Sequence, residues 1–171
     1  MARAIESKAN GGRELAIERE IRFRVTEGTA PAGGVSMQQA YLLRGRVTAR
    51  VRVAEGKGAR VTVKAPRGDG RYEWEWRVPE SLARALLGLP LPCVRTTRRR
   101  EGRLDVDCLA WPPGIVLVEL ELDAGEGPDL RDVASRGALM EAHRPPWVRA
   151  WHDVTDDPDY TNARLARRPP R

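Results

Sequence analysis

A chain of 171 residues is long enough for one domain with a genuine core, and its net charge of +6 favours an anionic partner. No apolar run approaches a membrane span and the first residues carry no signal-peptide stretch, so a cytoplasmic protein is expected. Aromatic residues make up only 5% of the chain, which argues against a base-stacking surface and leaves nucleic-acid binding resting on charge alone.

Residues 1–13 are polar, glycine-containing and aperiodic and read as a flexible tail, with 14–171 as a single domain. A strand is predicted from about Glu14 to Thr26, where Glu18, Glu20, Arg22 and Arg24 alternate onto one face. Gln38 to Leu43 begins a second strand or a turn before it. From Arg46 to Ala54, Val47, Ala49, Val51 and Val53 oppose Arg46, Thr48, Arg50 and Arg52. Glu55-Gly56-Lys57-Gly58 is a hairpin signal, and Arg60 to Lys64 resumes the alternation. A turn at Arg67-Gly68-Asp69-Gly70 precedes Arg71 to Val78, where Tyr72, Trp74 and Trp76 oppose Arg71, Glu73 and Glu75.

Glu80 to Leu87 has helical spacing and stops at Gly88 and Pro90. Val94 to Arg100 and Arg103 to Leu109 form a hairpin around Glu101-Gly102. Ile115 to Asp123 is an apolar strand interrupted only by Glu119 and Glu121. A helix is expected from Pro128 to His143, its buried stripe drawn from Leu130, Val133, Ala134, Leu139 and Met140. Pro145 to Ala166 reads as irregular, with one short helix near its end. Cys93 and Cys108 lack metal-ligand spacing and read as reduced, partly buried thiols, and His143 and His152 as surface or capping residues.

About eight antiparallel strands sharing one charged face predict an α+β, mainly antiparallel fold: a closed barrel or a strongly curved sheet, with a charged interior if it closes. Its outer residues, among them Val61, Val63, Trp74, Trp76, Val116, Val118, Leu120 and Leu122, then need the two helices packed over them. A sheet with one solvated face also alternates in this way, but such a face ordinarily mixes in Ser, Thr, Asn and Gln. Carboxylates at i and i+2 on two strands are hard oxygen ligands suited to Mg²⁺ or Mn²⁺, and neighbouring guanidiniums and Lys64 suit phosphate oxygens. These are the parts for metal-assisted attack on a phosphoanhydride.

The same residues resemble the CYTH superfamily of triphosphate tunnel metalloenzymes, which includes class IV adenylate cyclases, thiamine triphosphatases and bacterial inorganic triphosphatases. Its ExExK hallmark is similar to Glu18-x-Glu20-x-Arg22. Gln39-Ala40-Tyr41-Leu42, Arg50-x-Arg52, Thr62-Val63-Lys64 and Arg71-x-Glu73-x-Glu75 follow in the family's order. Asp107, with Asp105 beside it, Glu119-x-Glu121 and the C-terminal Pro146-Trp147, Asp153-Val154-Thr155 and Tyr160-x-Asn162 complete it.

The resemblance, spanning about 16 to 166, implies a closed eight-stranded antiparallel barrel whose tunnel holds a triphosphate with Mg²⁺ or Mn²⁺. Glu18, Glu20, Asp107, Glu119 and Glu121 would be the metal ligands. Arg50, Arg52, Lys64, Arg71, Glu73 and Glu75 would form the substrate site, and Glu18, Glu20, Arg22 and Tyr41 would serve catalysis. Arg95, Arg98 or Arg100 would extend the phosphate grip, the register of that strand being open because the family's Lys-x-Arg pair is not reproduced there.

The main departure is Arg22 in place of the motif lysine. A guanidinium keeps its proton at any usable pH, so it can hold charge but cannot act as a base. The expected function is divalent-metal-dependent hydrolysis of inorganic or nucleoside triphosphate. The alternatives are a cyclase, a thiamine triphosphatase, or a non-catalytic polyphosphate-binding module, the last because of Arg22. The expected partner is a small triphosphate-containing molecule, with no nucleic acid and no membrane, bound by a monomer or homodimer.

Overall fold

A computed structural model describes residues 14–67, 70–122, 127 and 129–167, with side chains of the first strand from residue 19 on. The expected tail, the turn at 68–69 and the side chain of Glu18 lie outside these. Nine strands and three α-helices follow the chain: β1 (Glu14–Gly28), β2 (Val35–Leu43), β3 (Thr48–Ala54), β4 (Gly58–Arg67) and β5 (Gly70–Val78), then α1 (Glu80–Leu87). After them come β6 (Cys93–Glu101), β7 (Leu104–Trp111), β8 (Val116–Leu122), α2 (Val133–Ala142), β9 (Val148–Asp153) and α3 (Asn162–Leu165).

All pairings are antiparallel, in the order β5-β4-β3-β2-β6-β7-β8-β1-β9. The long strand β1 pairs β5 through Glu14 to Glu18 and β8 through Arg19 to Arg24, so the pairing that leaves β1 through β5 returns to it through β8. The last strand, β9, pairs the end of β1 from Phe23 to Gly28. Gly28 has φ +141° where β9 begins, and any side chain there would run into the Trp147 carbonyl.

Alternation sorts the strand residues onto two faces. On the outer face, Ile21, Phe23, Leu104, Val106, Val118, Leu120 and Leu122 pack beneath Met140 of α2. Val51, Val53 and Ala59 pack beneath Ala83 of α1, joined by Val61, Val78, Leu86 and Leu87. Each buried aliphatic side chain contributes about 1.5–3 kcal/mol, which is what holds the two helices on the sheet. The inner face is polar along most of its length but turns apolar at one end. There Tyr41, Val94, Leu109 and Leu117 meet Val154, Leu165 and Ala166 of the C-terminal segment.

The antiparallel α+β fold and both helices match expectation, with three differences. Residues 148–153 form a ninth strand where irregular chain was expected, a short edge strand whose only sheet partner among the described residues is β1. The second helix starts at Val133 rather than near Pro128, because the Asp132 carboxylate accepts the N–H groups of Ala134 and Ser135 at 3.1 and 3.3 Å. Val133 and Ala134, expected to be buried, are exposed. Beside Met140, buried as expected, the other buried position on that helix is Arg136, which donates to Asp153 (3.0 Å), Asp156 (2.7 Å) and the Leu130 carbonyl.

His143 caps the C-terminus of α2 and its Nδ1 lies 3.0 Å from the Leu139 carbonyl. Both cysteines are unbridged, and burial pushes both thiols up. No helix among the described residues is long and apolar enough to cross a membrane.

Candidate triphosphate site

The polar inner face encloses a cavity of about 360 Å³. Its lining includes most of the residues singled out by motif: Glu20, Arg22, Tyr41, Arg50, Arg52, Lys64, Arg71, Glu73, Glu75, Arg98, Asp107, Glu119 and Glu121. Strand geometry explains the convergence. Residues directly opposite on antiparallel strands share a face, and Arg22 stands opposite Glu119, Glu20 opposite Glu121, Lys64 opposite Glu73 and Arg98 opposite Asp107.

Two clusters result. In the first, Arg98 grips Asp107 bidentately, with Nε and Nη2 at 2.7 and 2.6 Å from its two oxygens. It also reaches Glu119 Oε2 at 2.9 Å and Asp105 at 3.1 Å. Arg22, itself buried, donates Nε to Glu119 Oε1 at 2.7 Å, Nη1 to the Tyr160 carbonyl at 3.2 Å and Nη2 to Glu20.

Glu119 therefore has one oxygen on each guanidinium. Burial opposes its charge, but Arg22 and Arg98 override that and hold its carboxyl at about 2. Burial pushes Asp107 above its ordinary value despite Arg98, helped by the Glu119 charge. Arg98 is likewise penalised by burial, yet its bonds to Asp107 and the charges of Glu119 and Asp105 drive its pKa upward.

The second cluster is cationic and lies on β3, β4 and β5. Lys64 Nζ is 3.3 Å from Glu73, Arg50 is 3.9 Å from the same carboxylate, and Arg52 is 3.2 Å from Glu75. Burial, and then the neighbouring Arg50 charge, lower Arg52 to about 10. Glu75 is shared with Arg60 and accepts from Thr62 at 3.1 Å. Burial works to raise its carboxyl, but the bond from Arg60 and the Arg52 charge keep it below its ordinary value.

The open register of β6 is settled by position. Arg98 shares the inner face with Thr96, whereas Arg95 is exposed on the other face, and Arg100, also exposed, reaches Asp105 at the strand end; neither lines the cavity. Motif reading gave no role to Thr62, Arg60 or the Tyr160 carbonyl. The parity of Thr62 with Lys64 was the available signal for the first, and no side-chain pattern signals a carbonyl. Arg136 also reaches the site indirectly: its partner Asp153 accepts the Thr155 N–H, and Thr155 Oγ1 accepts the Arg22 N–H at 3.0 Å.

The carboxylates differ in their fitness for a divalent cation. Asp107 and Glu119 have all four oxygens on guanidiniums. Among the described residues no three carboxylate, imidazole or thiolate groups converge as a metal shell. Glu20 and Glu121 stand directly opposite on adjacent strands and both line the cavity, so that, although one Glu20 oxygen accepts from Arg22, the pair presents carboxylate oxygens from two strands to one space. Two carboxylates plus phosphate oxygens are a usual Mg²⁺ set.

No family model matches the chain, and no curated protein matches it either. Among solved structures, the crystal structure of the inorganic triphosphatase NE1496 superposes with a TM-score of 0.54 at 23% identity, covering 87% of this chain and 93% of that one. A second structure of NE1496 gives 0.53 at the same identity, covering 96% of its own length. At this identity the likeness establishes the fold.

Proposed function

We propose that this protein binds a triphosphate in its inner cavity, a closed eight-stranded tunnel, and hydrolyses a phosphoanhydride bond of inorganic or nucleoside triphosphate there. The observation that carries the reading is the convergence of Arg50, Arg52, Lys64 and Arg71 on the lining that also holds Glu20, Glu119 and Glu121. Cations on β3–β5 grip phosphate oxygens, bidentately where guanidiniums allow. A Mg²⁺ or Mn²⁺ ion held by Glu20 and Glu121 would supply further charge neutralisation. Arg98 and Arg22 keep Asp107 and Glu119 fixed, and Tyr41 closes the apolar end.

The deciding experiment measures phosphate release and calorimetric binding for tripolyphosphate, ATP and thiamine triphosphate, with Mg²⁺, Mn²⁺ or chelator. Release from tripolyphosphate that chelator abolishes is the expected result, and absence of any tripolyphosphate binding would refute the reading. Glu20→Gln and Glu121→Gln are each expected to weaken Mn²⁺ binding about tenfold or more in an electron-spin titration with tripolyphosphate present. Unchanged affinity in both would remove the pair from the metal site.

A second reading, binding without turnover, is favoured by Arg22, which cannot take a proton from water. The variant Arg22→Lys separates the two. An ammonium cannot span Glu119, Glu20 and the Tyr160 carbonyl together, so a stability loss of about 1–3 kcal/mol in urea unfolding is expected. Turnover is expected to stay within about tenfold of wild type, the residue acting as an electrostatic strut. Hydrolysis that appears only in the lysine variant would establish the natural protein as a triphosphate binder.

A further inference from the structure

Beside the inner cavity lies a second of about 1040 Å³, roofed by the C-terminal segment from Asp157 to Arg167. The two are continuous, since Thr48, Arg71, Thr161 and Ala163 line both. Six arginines line the outer space against two aspartates, Asp157 and Asp159. Asp157 is already engaged, accepting the Asp159 N–H at 2.9 Å.

The outer arginines differ in kind from the inner ones. Inside, Arg22, Arg52 and Arg98 are each ion-paired with carboxylates. Outside, among the described residues Arg44 donates only to the carbonyls of Ala163 and Ala166, at 3.3 and 3.2 Å. Arg24 donates to the Tyr160 hydroxyl at 2.6 Å, and its buried Nε has no hydrogen-bond partner among the described residues. Among the described residues no ion pair joins Arg24, Arg44, Arg46 or Arg164 to a carboxylate. Six positive charges with so little internal compensation focus a field on anything anionic leaving the inner cavity.

We propose that this vestibule is a second anion subsite, through which a linear inorganic polyphosphate continues beyond the three phosphates held inside. The inference rests on the triphosphate reading of the inner cavity. Chemistry favours a phosphate chain over a nucleotide. The one aromatic ring in the lining, Tyr160, has the Arg24 guanidinium 5.5 Å from its centroid, so one of its faces is already taken and the lining offers a base little stacking surface. A chain of phosphates needs only cations along its path, and a connected second subsite raises affinity without a new binding event.

The test compares tripolyphosphate with polyphosphate of about ten units by calorimetry at one ionic strength, on wild type and on the double variant Arg46→Ala/Arg164→Ala. Both side chains are exposed and neither belongs to the inner site, and thermal melting checks that the fold is kept. Wild type is expected to bind the longer chain at least about tenfold more tightly, and the double variant to lose most of that gain with tripolyphosphate affinity unchanged. The comparison between proteins cancels the statistical advantage of a long chain.

Equal gains in both proteins, or none in wild type, would overturn the proposal. So would a variant-sensitive preference for ATP over tripolyphosphate, which would make the vestibule a nucleoside site. If tripolyphosphate fails to bind while variant-sensitive binding of the long chain persists, the subsite stands and the triphosphate reading falls; if neither binds, both fall.

Discussion

Replacing Glu119 by alanine is expected to cost about 3–5 kcal/mol of folding stability, because it leaves two guanidiniums facing each other without their shared carboxylate. Arg22 is 7% exposed and is held by Glu119, Glu20 and the Tyr160 carbonyl; Arg98 is spread over Asp107, Asp105 and Glu119. With Glu119 removed, both keep their charge and lose a countercharge they cannot replace with water. Glu119→Gln is the sharper probe, since its amide N–H₂ would point at one guanidinium, donor against donor. Urea unfolding at neutral pH measures both variants, and a loss under about 1 kcal/mol in each would show that the cluster is a surface-like pair of little consequence.

The same carboxylate sets an acid limb. Folding moves the Glu119 carboxyl from its ordinary 4.5 down to about 2. A group depressed in this way contributes stability that is complete above the ordinary value and is lost as pH falls through the folded one. At about 1.4 kcal/mol per unit this is on the order of 3 kcal/mol, lost from about pH 4.5 downward. Asp107 opposes it: its folded carboxyl is raised above its ordinary 3.8, so it takes a proton more readily in the folded protein than in the unfolded chain. Wild type is expected to lose stability steeply toward about pH 3, and Glu119→Gln to show a flatter limb.

Much of this site was legible because strands convert spacing into facing. The alternation of Glu18, Glu20, Arg22 and Arg24, of Arg50 and Arg52, and of Glu119 and Glu121 placed residues on one face before any coordinates, and those with described side chains line one of the two connected cavities. The β6 arginines were harder: the family's Lys-x-Arg pair is not reproduced there, and Arg98 and Arg100 have the same parity, so only their position along the strand separates them. Arg136 was missed because a helical stripe is read from apolar residues, and a buried arginine is recognised only with its partners, Asp153 and Asp156, which lie well along the chain. The ninth strand was hidden for a related reason. Residues 148–153 are short, mixed in character and preceded by Pro145 and Pro146, and only pairing with β1 makes them a strand.

A pair of opposite-sign changes on adjacent strands probes the cationic half of the site most directly. Lys64 and Glu73 stand directly opposite on β4 and β5, with Nζ 3.3 Å from the carboxylate, and Arg50 approaches the same carboxylate at 3.9 Å. Glu73 thus holds two cations in place and offsets their mutual repulsion, yet it would repel a polyanion bound by them. Lys64→Ala removes a charge-assisted contact worth about 1.5–3 kcal/mol, so tripolyphosphate affinity is expected to fall roughly 10- to 100-fold. Glu73→Gln keeps the shape, frees Lys64 and Arg50 for phosphate oxygens, and is expected to tighten tripolyphosphate binding several-fold, about 1 kcal/mol, most visibly at low ionic strength. Calorimetry in chelator isolates this contribution from any metal. Weaker binding in both variants would mean that Glu73 touches the ligand itself, through a phosphate hydroxyl, and that the cationic wall alone does not grip the phosphate chain.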